Sequence, residues 1–226
     1  MKKGDKILVV AAHPDDDVLG CGGIMSKYKN LMEFRVVFIA EGSSCRYDSP
    51  THKQVKEVVK ARTKMAKKAL KILGISDYYF YNLPCGRLDT VPQIEINKII
   101  ENEILSFKPN VVITHSGKDT NMDHIKVYNS TMVACRPKNG IKMVLAMEIL
   151  SSSEIELKNP FDPNLFFELS IDNLNQKCNA FKEYSTEIEK VPNSRNVNGI
   201  KTIAKYRGLQ SGVMYAEAFN LIKQVK

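Results

Sequence analysis

Short apolar runs alternate with segments of helical periodicity along the first 135 residues. Four runs have the length of buried strands: 7–12, 35–40, 78–81 and 111–114. Two segments repeat apolar residues every three or four positions and predict amphipathic helices: 53–73 and 92–106. Further helices are predicted through Ile24 to Tyr28 and from His124 to Cys135. This alternation predicts an α/β, Rossmann-like fold with a mostly parallel sheet and helices on both faces.

The pattern of the final third is less regular. The predicted elements are a strand at 143–150, a short strand at 165–169, a helix at 172–188, a polar loop at 192–198 and a helix at 199–222 that is broken near Gly208 or Gly212. The sequence has no internal repeat, and 226 residues suit one substantial core. We therefore predict a single domain over residues 1–226.

Three of the four predicted strands in the first part of the chain are followed directly by a residue that could take part in catalysis or metal binding. His13 follows the first strand, Glu41 the second, Pro84 the third and His115 the fourth. In sheets of this type, ligands bind beyond the carboxyl ends of the strands. We therefore expect the functional site at this edge of the sheet.

Composition and charge narrow the class of protein. The chain is 43% hydrophobic and carries a formal net charge of +8, which favours anionic partners such as a phosphate-bearing substrate. Nucleic-acid binding is not expected, because the sequence lacks a zinc finger and a basic motif interleaved with aromatic residues. No apolar run reaches the roughly 18 residues of a transmembrane helix. The N-terminus lacks signal-peptide features, so we expect a cytoplasmic protein, and its five cysteines are not expected to form disulfides.

The densest group of candidate chemical residues follows the first strand: His13, Asp15, Asp16 and Asp17. Carboxylates this close repel one another unless a positive charge lies among them. A bound divalent cation would offset the repulsion among these carboxylates. An aspartate-rich turn can also simply cap the next helix. Catalytic zinc takes three protein ligands and keeps one position open. His13 and one aspartate could supply two ligands and His124, in a second polar loop, the third. A spare aspartate could then accept a proton from a metal-acidified water.

Residues 12–23, Ala-His-Pro-Asp-Asp-Asp-Val-Leu-Gly-Cys-Gly-Gly, resemble the signature of the LmbE-like, or PIG-L, family of N-acetylglucosaminyl deacetylases. Further stretches resemble other family segments: 83–88, 109–116 with the following Asp119 to His124, 204–208 and 215–219. The resemblance covers nearly the whole chain. It implies a metal-binding core over 1–135 and a substrate-pocket part over 136–226 of the same domain.

The resemblance also implies a role for each site residue. The implied ligands of one zinc ion per chain are His13, Asp16 and His124, with Asp17 and Asp123 beside them and Asp15 as general base. The implied substrate contacts are Arg46, Asn121 and Arg195. The implied reaction removes the N-acetyl group of an amino sugar or sugar conjugate by attack of metal-bound water, and it releases acetate. The sugar could be phosphate- or nucleotide-linked, and the enzyme could be a homo-oligomer.

Three positions depart from the family pattern. Asp17 stands where the family usually has glutamate, and Asn121 and Asn193 stand where it often has histidine. Asparagine can donate a hydrogen bond but cannot transfer a proton near neutral pH, which leaves the general acid open; Asp15, once protonated, could serve both steps. The alternatives are a metal-dependent hydrolase acting on another amide or a phosphoester, and a degenerate member that binds sugar without catalysis. A dinucleotide site is not predicted, because the glycines at 20, 22 and 23 have the wrong spacing.

Overall fold

The structure, a computed structural model, describes residues 1–49 and 51–225, and these residues form a seven-stranded sheet covered by helices. The strands are β1 (Lys6–Ala11), β2 (Glu33–Ala40), β3 (Asp77–Leu83), β4 (Val111–His115), β5 (Met143–Met147), β6 (Leu165–Glu168) and β7 (Ala216–Gln224). Their order across the sheet is β3-β2-β1-β4-β5-β7-β6. Strands β1 to β5 pair in parallel, and β7 pairs antiparallel with both β5 and β6. The predicted α/β fold is confirmed.

Helices cover both faces of the sheet. They are α1 (Asp16–Tyr28), α2 (Val55–Leu73), α3 (Gln93–Phe107), α4 (Met122–Ala134), α5 (Ile171–Lys182) and α6 (Val197–Ser211). Alternate side chains of β1 enter two separate apolar clusters, because successive residues of a strand point to opposite faces. One cluster includes residues of α1, α2, α5 and α6, and the other includes residues of α3 and α4. Among the described helices, none is both long and apolar enough to cross a membrane.

The end of α2 shows how local sequence fixes an element boundary. Gly74 adopts a left-handed φ of 78°, and its N–H bonds the carbonyls of Leu70 and Lys71. Glycine takes this conformation without the steric cost that a side chain would add. The helix therefore stops at Leu73, as its periodicity predicts, and the chain turns into β3.

The predicted helix over 199–222 is wrong in its second half. Helix α6 ends at Ser211, Gly212 turns the chain with a φ of 76°, and residues 216–224 form β7. Pairing on both edges satisfies the backbone of this strand, which outweighs the local helix preference of its alanine and glutamate residues. Two other predicted elements are shorter in the structure, since α5 ends at Lys182 and β5 at Met147.

Contacts of the buried Glu217 side chain also stabilise β7 in its position. Helix α1 is interrupted at Cys21, where φ is −145°, and the N–H groups of Gly23 and Ile24 donate to the buried Glu217 carboxylate at 2.7 Å each. Lys177 also contacts Glu217 at 2.7 Å. A Cβ on Gly23 would lie 2.5 Å from Leu169 Cδ1 and 2.8 Å from the Glu217 carboxyl carbon, so a side chain here would displace both. These contacts fix β7 against the helix that begins at the candidate site.

Candidate metal centre and active site

The turn between β1 and α1 has a strained backbone at its centre. Asp15 adopts a φ of 118°, a conformation that residues with side chains rarely take. Strain of this kind persists only where surrounding contacts hold it. Here, Asp16 Oδ2 accepts the N–H of His13 at 2.8 Å and closes the turn. The Asp15 side chain makes no capping bond to α1 within the described chain, so the turn is more than a helix cap.

The structure brings His13, Asp16 and His124 together at the carboxyl edge of the sheet. Strands β1 and β4 are neighbours, and α4 begins shortly after β4, so the two predicted loops meet. Asp16 Oδ2 lies 3.3 Å from His13 Nδ1 and 3.4 Å from His124 Nε2. Ligands in a tetrahedral zinc site with bonds of about 2.0–2.1 Å are separated by about 3.3–3.4 Å. The three donors therefore have the composition of a metal ligand set, and the two separations from Asp16 Oδ2 match tetrahedral spacing.

A carboxylate lies at the second nitrogen of each imidazole. His13 Nε2 is 2.8 Å from Asp123 Oδ2, and His124 Nδ1 is 3.2 Å from Asp119 Oδ2. Asp123 also accepts the N–H groups of Gly86 and Leu88, at 2.6 and 3.1 Å. Carboxylates in such positions fix the tautomer and orientation of metal-binding histidines.

Asp119 was missed as a site residue by the sequence reasoning. Its Oδ2 accepts the hydroxyls of Ser152 and Ser153, at 3.1 and 3.0 Å, and its Oδ1 accepts the N–H of Asn121 at 2.8 Å. The available signal was its place in the polar loop after β4. Its partnership with His124 depends on the fold and could not be read from spacing.

The charges of the site favour a bound positive charge. Burial disfavours the charged form of His13, but the hydrogen bonds that its ring donates to Asp123 and Asp16 outweigh this effect and raise the pKa of His13 to about 10. Burial acts in the same way on His124, and the charges of Asp16 and Asp119 raise its pKa to about 9. Burial opposes ionisation of Asp16, yet His124 and His13 hold the pKa of this carboxyl well below its ordinary value. In the absence of a cation, protons would supply the positive charge.

The buried ring of His115 packs against His124. Its ring stacks on that of His124 with centroids 4.0 Å apart, and its Nε2 accepts the N–H of Ala12 at 2.7 Å. Burial, together with the charge of His124, lowers the pKa of His115 to about 3. The ring is therefore neutral and fully buried, which fits a structural role.

Two arginines hold Asp15. Arg62 Nη2 lies 2.9 Å from Asp15 Oδ2, and Arg195 Nη2 donates to the same oxygen. Asp15 Oδ1 is buried without a hydrogen-bond partner among residues 1–49 and 51–225. Arg62 was missed by the sequence reasoning because it lies in a lysine-rich helix. Its signal was its spacing, since Arg62, Ala66 and Leu70 follow the buried stripe of α2.

The residues predicted to contact substrate line one cavity of about 320 Å³. They are Arg46, Asn121 and Arg195, and His13 borders the same space. Arg46 is half-exposed and pairs with Glu187 at 2.7 Å, while Asn121 Oδ1 accepts the Asp123 N–H at 3.0 Å and caps α4. Asp17 instead lies buried beneath the turn, where burial and the charges of Asp15 and Asp16 raise its pKa to about 7.

A family model described as GlcNAc-PI de-N-acetylase, or PIG-L, matches residues 8–135. This match includes the turn after β1, β4 and the start of α4. The chain belongs to the PIG-L family. Membership makes it a deacetylase by class, a hydrolase that acts on amides, as the sequence predicted.

Individual relatives agree with this family. A protein of Escherichia coli K12 named uncharacterized deacetylase YaiS is 28% identical over 188 residues, which cover 80% of this chain and 90% of that protein. The solved N,N'-diacetylchitobiose deacetylase of Pyrococcus horikoshii has a TM-score of 0.78 and 18% identity, over 96% of this chain and 84% of its own. GalB, the 4-carboxy-2-hydroxymuconate hydratase of Pseudomonas putida KT2440, has a TM-score of 0.75 and 19% identity, over 98% of each chain. The same fold therefore also serves a hydratase, and the details of the reaction and the substrate of this PIG-L protein rest on its site residues.

Proposed function

We propose that this PIG-L protein is a zinc-dependent N-deacetylase that releases acetate from an N-acetylated amino sugar or sugar conjugate. One observation carries the proposal. Asp16 Oδ2 lies at ligand spacing from His13 Nδ1 and from His124 Nε2. The neighbouring Asp15 carboxylate has one oxygen without a hydrogen-bond partner among the described residues.

The donor set fits zinc. Two imidazoles and one carboxylate are a common catalytic zinc set, and Asp123 and Asp119 would hold the imidazoles in position. The raised pKa values of His13 and His124 support the same conclusion, because they mark a place where positive charge is stabilised. When bound there, zinc would supply a Lewis acid that acidifies water and polarises the acetyl carbonyl.

Asp15 suits the role of general base. Its Oδ2 is fixed by Arg62 and Arg195, so the carboxylate cannot rotate freely, and its Oδ1 remains available to accept a proton. After accepting the proton from water, the same oxygen can deliver it to the departing amine. This dual role removes the need for histidine at positions 121 and 193.

Asn121 suits the role of a hydrogen-bond donor to the substrate carbonyl. Its Oδ1 is occupied by the Asp123 N–H, so its NH₂ group is the part of the amide that remains to donate into the cavity. A fixed donor stabilises the charge that develops on the carbonyl oxygen. Asparagine can do this without changing its protonation state.

Arg46 and Arg195 would bind the remainder of the substrate. Arg46 lies half-exposed on the cavity wall, where its guanidinium can donate hydrogen bonds to a phosphate or a sugar hydroxyl. The positive net charge of the chain also favours an anionic substrate. Arg195 donates to Asp15 and to the Ser151 hydroxyl, the latter at 3.1 Å. Because it also lines the cavity, it would contact the substrate and the proposed base at the same time. We also propose that residues 1–226 act as one deacetylase domain, because contacts from the C-terminal part complete the Asp15 environment.

Acetate release and metal content test this proposal together. Purified protein would carry about one zinc per chain and release acetate from one of a set of N-acetylated amino sugars, free, phosphorylated or nucleotide-linked. Asp15→Ala should keep the zinc and lose turnover, whereas His13→Ala should lose the zinc. Asp162→Ala, which removes an exposed carboxylate, is the control. Full activity of Asp15→Ala would overturn the assignment of the base, and phosphate release would favour the phosphoesterase alternative.

A further inference from the structure

Two cysteines lie in the cavity that His13 borders. All five cysteines of the chain are free, and of these Cys45 and Cys85 line the cavity. Cys45 belongs to a 3-10 turn after β2, and Cys85 follows β3. Cys45 packs beside Gly86, the neighbour of Cys85, since a Cβ on Gly86 would lie 2.8 Å from the Cys45 Cβ. The Cys85 N–H donates to Glu41 Oε1 at 2.9 Å, which fixes the position of this loop.

Cys85 belongs to a second group of potential ligands. One donor atom each of His13, Cys85 and Asp123 lies within 4.8 Å of the others. In this group His13 Nε2 faces Asp123, at 2.8 Å, while His13 Nδ1 faces Asp16. The two donor sets therefore share one imidazole and use its opposite nitrogens.

We propose that His13, Cys85 and Asp123 form a second metal site, for a thiophilic dication such as Cd²⁺ or Zn²⁺ in excess, with Cys45 as a fourth donor. Thiolate, imidazole and carboxylate are all zinc ligands, and thiolates select soft ions over magnesium and calcium. The site opens to the cavity, so a cation can reach it from solvent. It goes beyond the proposed deacetylase centre, with which it shares His13 as a ligand and Asp123 as the carboxylate that orients His13.

Binding at the second site would replace protons by a cation. The proton between His13 Nε2 and Asp123 Oδ2 and the thiol proton of Cys85 would pass to solvent, as ligands of this kind bind metals in their deprotonated forms. The His13 and Asp123 donors would separate from 2.8 Å to about 3.3 Å to admit the ion. His13 would then lose the carboxylate that orients it. A second cation is therefore expected to inhibit the enzyme.

Cadmium titration tests the second site directly. Metal-free protein is first given one equivalent of Zn²⁺ and then titrated with Cd²⁺, while the ultraviolet sulfur-to-cadmium charge-transfer absorbance and the bound metal are measured. We expect one additional Cd²⁺ per chain with a thiolate band. The band should be lost in Cys85→Ser and kept in Cys135→Ser, which removes a buried thiol at the opposite end of α4 from His124.

His124→Ala separates the two proposals. It removes a ligand of the deacetylase centre and leaves His13, Cys85 and Asp123 in place, so the cadmium band should persist in this variant. For each protein, the rate of acetate release in excess Zn²⁺ is compared with its own rate at one equivalent of Zn²⁺. Excess Zn²⁺ should slow the wild-type protein and Cys135→Ser, and it should not slow Cys85→Ser. Absence of a thiolate band in wild-type protein, or an equal band in Cys85→Ser, would overturn the second site whatever the activity shows.

Discussion

Asp15 Oδ2 and Arg62 Nη2 lie 2.9 Å apart, and both side chains are buried. This contact joins the strained turn after β1 to the middle of α2. Arg62 also donates from Nε to the Pro14 carbonyl at 2.8 Å, pairs with Glu187, and packs its guanidinium over the Tyr184 ring. One arginine therefore holds both the backbone and the carboxylate of the turn, which explains how Asp15 keeps its unusual φ.

Arg62→Met should destabilise the protein by about 3–5 kcal/mol, because it leaves the Asp15 and Glu187 carboxylates buried without this partner. Acetate release should fall as well, since Asp15 loses one of its two anchors. Urea unfolding of the zinc-loaded protein measures the first effect. Arg136→Met removes an exposed arginine paired with Glu101 and should cost no more than about 1 kcal/mol. Equal effects of the two substitutions would contradict the role given to Arg62.

Asp119→Asn should weaken zinc binding by about 10–100-fold, because the carboxylate beside His124 Nδ1 would be replaced by a neutral amide. Competition with a chelator measures this change. Asp162→Asn alters an exposed aspartate that pairs with Lys118 and should leave zinc affinity unchanged. The assignment of Asp119 fails if the two variants bind zinc alike.

The strand pattern predicted the sheet and placed His13 and His124 at one edge, because parallel strands end at a common edge. Arg62 could not be predicted in the same way. The lysines around it are typical of a solvated helix face, and its partner Asp15 is 47 positions away in the sequence. The strand at 216–224 was missed for a related reason. Its buried Glu217 is stabilised by N–H groups of α1, and that contact has no local signal.

The metal-free protein should lose stability as the pH rises from about 6.5 to about 10. The folded state raises the pKa of His13 to about 10 and that of His124 to about 9, from 6.5. It therefore binds these protons more tightly than the unfolded chain, and their contribution to stability is complete below pH 6.5 and lost above the folded pKa values. In the zinc-loaded protein a cation replaces the protons, so this loss should disappear. Urea midpoints of both forms across this range provide the test, and identical pH dependence would contradict it.

Gly199→Ala should reduce both stability and acetate release. A Cβ at this position would overlap the Ser194 carbonyl, a backbone group that cannot move without displacing Arg195. The Gly199 N–H also donates to Asn196 Oδ1 at 3.0 Å and starts α6. Displacement of the loop would remove Arg195 from Asp15. Thermal unfolding and acetate release measure the two effects, and an unchanged rate would show that Arg195 does not support the base.

X-ray absorption at the zinc edge tests the central claim most directly. Protein loaded with one equivalent of Zn²⁺ should show a first shell of nitrogen and oxygen at about 2.0–2.1 Å, with the scattering pattern of two imidazoles. His124→Ala should retain only one of them. A sulfur shell at about 2.3 Å would place the first zinc on Cys85 and contradict joint binding by His13, Asp16 and His124.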